Sequence, residues 1–182
     1  KEAQQAWLDL ATRKGYAPRP IVDDKLLPEE PLDLAGTGAS RAIELVVGTN
    51  RDELNFLAAA DPAYTKLTVD ELPGRVSSLI ADEYPALDAG SLIETYHDAR
   101  TEQGLPIDPW RVLAAISSDF LVRPDSLRFL ERHVASGGAG YAYLLDWESP
   151  NALLGSCHGI ELPFCFGTLA TAPHMADFAR TG

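Results

Sequence analysis

The chain has little cysteine, no membrane-length apolar run, no block of basic residues and no serine on a strand-to-helix turn. Cys157 and Cys165 are its only thiols, and their spacing matches neither a zinc-ligand pattern nor a Cys-x-x-Cys redox pair. They are expected to be buried small hydrophobes near a core strand, where free cysteine is commonly found. No uninterrupted apolar stretch approaches the roughly 20 residues that span a bilayer, so no membrane span is expected. With 15 Lys plus Arg against 27 Asp plus Glu, the formal net charge of −12 is spread along the whole length. A phosphate backbone attracts the opposite sign, and nucleic acid is not an expected partner. Asp23-Asp24 and Glu29-Glu30 lack ligand-spaced companions and are expected to face water; no metal or organic cofactor is expected. Internal repeats and low-complexity tracts are absent from the sequence as well. Lys1-Glu2-Ala3-Gln4-Gln5 begins a polar, helix-like segment in place of a signal peptide, and any export address is expected to lie upstream.

What is present is enough for a core: 182 residues, 46% of them hydrophobic, sufficient for one large domain or two small ones. Ala3, Ala6, Trp7, Leu10 and Ala11 recur at helical spacing before Lys14-Gly15, which predicts a helix over 1–14. The proline- and acid-rich stretch from Tyr16 to Gly38 reads as an extended surface connection. Ala42-Ile43-Glu44-Leu45-Val46-Val47-Gly48 is nearly continuous in apolar character, the pattern of a central parallel strand covered on both faces. Residues 68–102 predict two helices. The first follows a capping box, Thr68-Val69-Asp70-Glu71, although Pro73-Gly74 weakens it; the second carries Leu92, Ile93, Tyr96 and Ala99. Asp108-Pro109 opens a further helix with a stripe of Val112, Leu113, Ile116, Phe120 and Leu121 up to Pro124, and Leu127, Leu130 and Val134 continue the pattern to Ser136-Gly137-Gly138. Tyr141-Ala142-Tyr143-Leu144-Leu145 reads as a second strand. This order argues for an α/β architecture of parallel strands joined by helical crossovers.

Two motifs follow the strands. Glu53 ends Gly48-Thr49-Asn50-Arg51-Asp52-Glu53, and His158 lies in Cys157-His158-Gly159-Ile160-Glu161-Leu162-Pro163-Phe164. Loops leaving the carboxyl ends of parallel strands converge, so adjacent strands would bring acid and imidazole together. A carboxylate that accepts the Nδ1 proton fixes the tautomer and leaves Nε2 free to take a proton from a nucleophile. Taken singly, Glu53 also reads as a solvated turn residue and His158 as an exposed loop residue. His97, His133 and His174 have no motif and read as ordinary surface or core residues. Gly38-Ala39-Ser40-Arg41-Ala42 imitates a nucleophile elbow, but it precedes a strand and lacks the second glycine. Gly36-x-Gly38 and Gly137-Gly138-x-Gly140 likewise lead into strands, and read as loop glycines.

Pro20-Ile21-Val22-Asp23 with Leu27-Pro28, the Glu53 motif, the His158 motif, Phe166-Gly167 and the closing Phe178-Ala179-Arg180-Thr181-Gly182 occur in one order along almost the whole chain. Together they resemble the type B carboxylesterase family, which includes bacterial para-nitrobenzyl esterases and the cholinesterases. The resemblance implies the C-terminal part of an α/β-hydrolase fold with an incomplete sheet. It implies a Ser-Glu-His triad in which Glu53 is the acid and His158 the base. It further suggests Phe56 and Leu57 as substrate-binding residues, with burial in the core of a following helix as the alternative, and Glu161 as a support of the histidine loop. The serine elbow and the Gly-rich oxyanion loop would lie upstream, so the chain is expected to be inactive alone, to need the N-terminal portion of the same protein as partner, and to self-associate through an exposed sheet edge. The substrate class would be small-molecule esters. A binding or adhesion domain that has lost its serine is the rival reading. The stretch between Gly167 and Phe178 is shorter than the family's and lacks its tryptophan, and Arg123 stands near a cholinesterase disulfide cysteine, which favours the bacterial branch.

Overall fold

The computed structural model of the chain describes residues 21–23 and 25–169. The helix expected over 1–14, Asp24, His174 and the closing motif from Phe178 lie outside the described residues. The first element is a short helix, α1 (Pro31–Gly36), inside the segment read as an extended connection. Pro31 presets the helical φ at the first turn, where its missing N–H costs nothing. Six residues are too few for autonomous helix formation, and the rest of the reason is tertiary. Arg132 donates to the Leu32 carbonyl at 3.1 Å and to Asp33 Oδ1 at 2.6 Å, and Ser136 Oγ donates to the Ala35 carbonyl at 3.1 Å.

Strand β1 (Leu45–Asn50) begins three residues later than the apolar run and ends two later. Ile43 N–H is taken by a turn to the Ser40 carbonyl, and β2 (Gly140–Leu145) supplies partners only from Leu45 onward. The strands pair in parallel, Leu45 opposite Gly140 and Asn50 opposite Leu145. The expectation of two covered faces needs correction. Leu130 and Val134 of a long helix close over Gly140 on one face, but on the other Val46 and Tyr141 are 64% and 60% exposed. Among the described residues each strand has one neighbour, so the sheet is a two-stranded portion.

Between the strands run a one-turn helix at Glu53–Asn55, then α2 (Phe56–Ala60), a second single turn at Tyr64–Lys66, α3 (Leu72–Ile80), α4 (Ala89–Glu102), α5 (Pro109–Leu121) and α6 (Arg123–Ala135). Pro73 falls in the first turn of α3, where it is tolerated, and does not break the helix. The capping box forms as read: Thr68 N–H and Oγ1–H donate to Glu71 Oε2 at 2.9 and 2.8 Å, and Glu71 N–H donates back to Thr68 Oγ1 at 3.3 Å. Leu72, Val76 and Ile80 of α3 pack with Val112, Leu113 and Ile116 of α5 and with Ala89 of α4 to form the main core. A smaller apolar cluster of Leu154, Cys157 and Ile160, with Leu145 and Trp147 against it, lies under the histidine loop. A last short helix, α7 (Leu162–Cys165), follows that loop. Cys157 is buried as expected, whereas Cys165, at the end of α7, is exposed; both are free thiols. Among the described residues no helix is long and apolar enough to cross a membrane.

Candidate active site

Each strand ends by turning sharply into a loop, and parallel pairing aligns the two turns side by side. Glu53 opens the single turn after β1, and His158 lies in the loop between β2 and α7. His158 Nδ1 donates to Glu53 Oε2 at 2.7 Å, across 105 residues of sequence. The carboxylate can only accept, so the imidazole carries its proton on Nδ1. The pair is asymmetric in solvation: the glutamate side chain is 5% exposed and the histidine side chain 67%.

Glu53 is held from several sides. Its second oxygen, Oε1, accepts the Asn50 N–H at 2.7 Å, and its own carbonyl accepts the His158 N–H at 3.1 Å. The loops are therefore joined through backbone as well as side chain. Asn50, 2% exposed, adds a second tie: its Nδ2 donates to the Cys157 carbonyl at 2.9 Å and to Glu161 Oε2 at 2.6 Å. Asp52 adds a third. Its N–H donates to the Ser156 carbonyl at 3.0 Å, and its Oδ2 accepts the Ser156 N–H at 3.1 Å. Gly155 must be glycine here, since its φ is +55° and a Cβ would sit 2.7 Å from Asp52 Oδ2.

Helices α5 and α6 brace the acid loop from behind. Ser118 Oγ donates to the Ala114 carbonyl at 2.7 Å and accepts the Leu54 N–H at 3.2 Å. Arg123 pairs with Asp119, and its Nη2 donates to the carbonyls of Asn50 and Arg51 at 3.1 and 3.2 Å. These groups were invisible to a motif reading because they are brought in from about 70 residues away. Asn50 and Asp52 lay inside the quoted motif, and their local signal was the density of polar residues directly after an apolar strand.

Phe56, 36% exposed, has its ring 6.2 Å from the His158 ring, centroid to centroid. Leu57 is half-buried on α2. Neither belongs to the two apolar clusters. His97 is exposed. His133 is 1% exposed and structural: Nε2–H donates to the Ile43 carbonyl at 3.1 Å, leaving Nδ1 to accept from Ser40 Oγ at 3.0 Å. The serine of the imitation elbow is thereby occupied in anchoring α6 to the segment before β1. Among the described residues no three or more His, Cys, Asp or Glu side chains are grouped to hold a metal.

The sequence model of the carboxylesterase family matches residues 1–179. The chain is 28% identical over 152 residues to the phenmedipham hydrolase of Pseudarthrobacter oxydans, covering 82% of this chain and 28% of that protein. It is 28% identical over 165 residues to the para-nitrobenzyl esterase of Bacillus subtilis, covering 87% of this chain and 29% of the esterase. Its structure superimposes on the crystal structure of a carboxylesterase from Geobacillus stearothermophilus with a TM-score of 0.67 at 26% identity, over 95% of this chain and 32% of the other. The chain thus spans less than a third of the length of these relatives. With a small parallel sheet, helical crossovers between its strands and a family match over nearly its full length, the chain has a partial α/β-hydrolase fold and belongs to the carboxylesterase family.

Proposed function

We propose that this chain is the C-terminal segment of a serine carboxylesterase, supplying the acid and the base of a Ser-Glu-His triad whose nucleophile is carried upstream in the complete protein. The observation that supports this reading is the 2.7 Å contact between a buried glutamate and an exposed histidine. Glu53 orients the ring and stabilises the imidazolium formed during reaction, while Nε2 of the exposed imidazole takes the seryl proton and later returns it to the leaving alcohol. The oxyanion that develops on the ester carbonyl needs backbone donors from the upstream part. Glu161 acts through Asn50 as a positioning residue. Phe56 and Leu57, close in sequence to the acid, contribute an apolar wall for the substrate.

The reading is tested in the complete protein with a short-chain p-nitrophenyl ester. Glu53→Gln keeps the size but spoils the tautomer control, and His158→Ala removes the base. Each is expected to lower kcat by about 10³-fold or more with KM little changed. Wild-type turnover in either folded variant would overturn the assignment. An unaltered complete protein without any esterase activity would instead favour a binding role for the fold.

A further inference from the structure

Four parts of the chain surround a cavity of about 130 Å³, lined by Arg51 and Asp52 after β1, Arg100 near the end of α4, Arg111 of α5 and Glu148 after β2. One water's share of liquid volume is roughly 30 Å³, so the space is larger than a single solvent molecule requires. Three guanidinium groups line it, and they are not equally satisfied. Arg51 is engaged: its Nε and Nη2 donate to Asp52 Oδ2 at 3.1 and 2.9 Å, and Nη2 donates to Glu148 Oε1 at 2.5 Å. Arg111 Nη2 donates to the Ala152 carbonyl at 2.9 Å, while its buried Nε lies 3.2 Å from Asp108 Oδ2 without forming a hydrogen bond. Arg100 is 8% exposed and donates only from Nε, to the Pro106 carbonyl at 2.7 Å. Among the described residues its two terminal amino groups have neither a hydrogen-bond acceptor nor an ion-pair partner.

The charge around the cavity does not balance once solvent is considered. Asp108 and Glu148 have side chains 56% and 58% exposed, where water and salt screen them. Asp52, 7% exposed, is the one carboxylate in the group that is buried with the arginines. Burial pushes the Arg100 guanidinium below its ordinary pKa, with the Asp52 charge opposing that shift. Arg111 Nε is the one buried side-chain donor without a hydrogen-bond partner among the described residues, so the terminal amino groups of Arg100 are not sealed from water, and an oxyanion entering the cavity would take the place of that water on them.

We propose that this cavity is a binding site for one small oxyanion, a phosphate or carboxylate, gripped by the terminal amino groups of Arg100 with Arg51 and Arg111 beside it. A guanidinium presents two parallel N–H bonds that match the oxygens of such groups. The ligand would also stiffen the catalytic loops. Arg51 and Asp52 immediately precede Glu53, and Asp52 is bonded to Ser156 in the histidine loop, so filling the cavity ties the two loops from a second side. Binding here is separate from hydrolysis: a protein whose Glu53 and His158 variants kept full activity could still hold the anion, and the reverse.

The test titrates the complete protein with inorganic phosphate and, in a separate arm, with acetate, sodium chloride holding ionic strength constant. Thermal unfolding and calorimetry read the outcome. A saturable rise in Tm and a measurable Kd are expected in at least one arm, and the arm that responds identifies the oxyanion class. Arg100→Gln should weaken that Kd by about 10-fold or more, as loss of a charged donor does. Glu148→Gln releases Arg51 at the surface and should tighten it about threefold, the scale of an exposed ion pair. Absence of saturation in both arms means that water alone fills the cavity and overturns the proposal. An unchanged Kd in folded Arg100→Gln overturns it as well, and if that variant does not fold, an unchanged or weaker Kd in Glu148→Gln does so.

Discussion

Buried polar side chains, not apolar ones, decide the local geometry of the site. Asn50 and Glu53 lie at 2% and 4% exposure, yet each is supplied with partners. Leaving any of them unpaired in so dry a position would cost about 1–3 kcal/mol, which favours a single arrangement of the two loops. Cys157 sits beneath that arrangement, 1% exposed and adjacent to His158. Burial pushes its thiol up to about 11, from an ordinary value of 9.0. Two outcomes follow for the folded chain. Near neutral pH an aromatic disulfide reagent should titrate Cys165 rapidly and Cys157 only after unfolding in urea; rapid reaction of both native thiols would contradict the packing. The raised thiol also has a definite sign in the linkage with stability. Folded protein holds the proton more tightly than unfolded protein, so this contribution is intact below about 9 and is lost as pH rises towards about 11. Replacing Cys157 by alanine should flatten the alkaline decline in Tm.

At the scale of elements, helix α3 offers a local test that the candidate site does not touch. Thr68→Ala removes one half of the capping box, and the expected fall in Tm is about 2–4 °C for a chain of this size. Glu71 is held below the usual carboxylate range by the Thr68 backbone N–H, then by its hydroxyl. A depressed carboxylate contributes above its unfolded value, 4.5, and loses that contribution as pH falls through the folded value. The gap in Tm between wild type and Thr68→Ala should therefore shrink in acid; a gap constant down to low pH would deny the role of the box. Elements whose signal is local were legible in this way. The capping box and the stripe of α5 became helices near their read positions, because local bonds and periodicity act within a few residues; Asp108-Pro109 also opens α5 as read, but through Pro109 in the first turn, since the Asp108 side chain makes no cap hydrogen bond. The acid and histidine motifs were legible as neighbours because both follow strands. What was missed depended on distance. Helix α1 needs Arg132 and Ser136, about 100 residues away, and the late start of β1 reflects where its partner strand begins. Nothing in the sequence separated Cys165, at the exposed end of α7, from buried Cys157. The three arginines of the cavity come from three separate segments and share no spacing.

For the whole molecule, the decisive feature is an apolar sheet face with no described element over it. Val46 and Gly48 share that face with their partners Tyr141 and Tyr143, and Tyr143 lies so close over Gly48 that a Cβ there would overlap its ring. Exposed aromatic and β-branched side chains beside unpaired strand edges form a surface on which chains stack or pair. In the proposed complete esterase the upstream portion covers it; in the isolated chain a second copy is the available cover. Opposing this is a net charge of −12, which repels like chains over roughly a Debye length, about 10 Å at 0.1 M salt. The two effects have opposite salt dependence, so they can be told apart. Sedimentation velocity of the isolated chain should show association that rises with protein concentration and strengthens as sodium chloride screens the repulsion. Val46→Lys together with Tyr141→Lys, both at already exposed positions, should suppress it while leaving the circular dichroism spectrum unchanged. A wild-type chain that stays monomeric at high salt would mean that this face is stable in water, and the case for a covering segment would lose its physical basis.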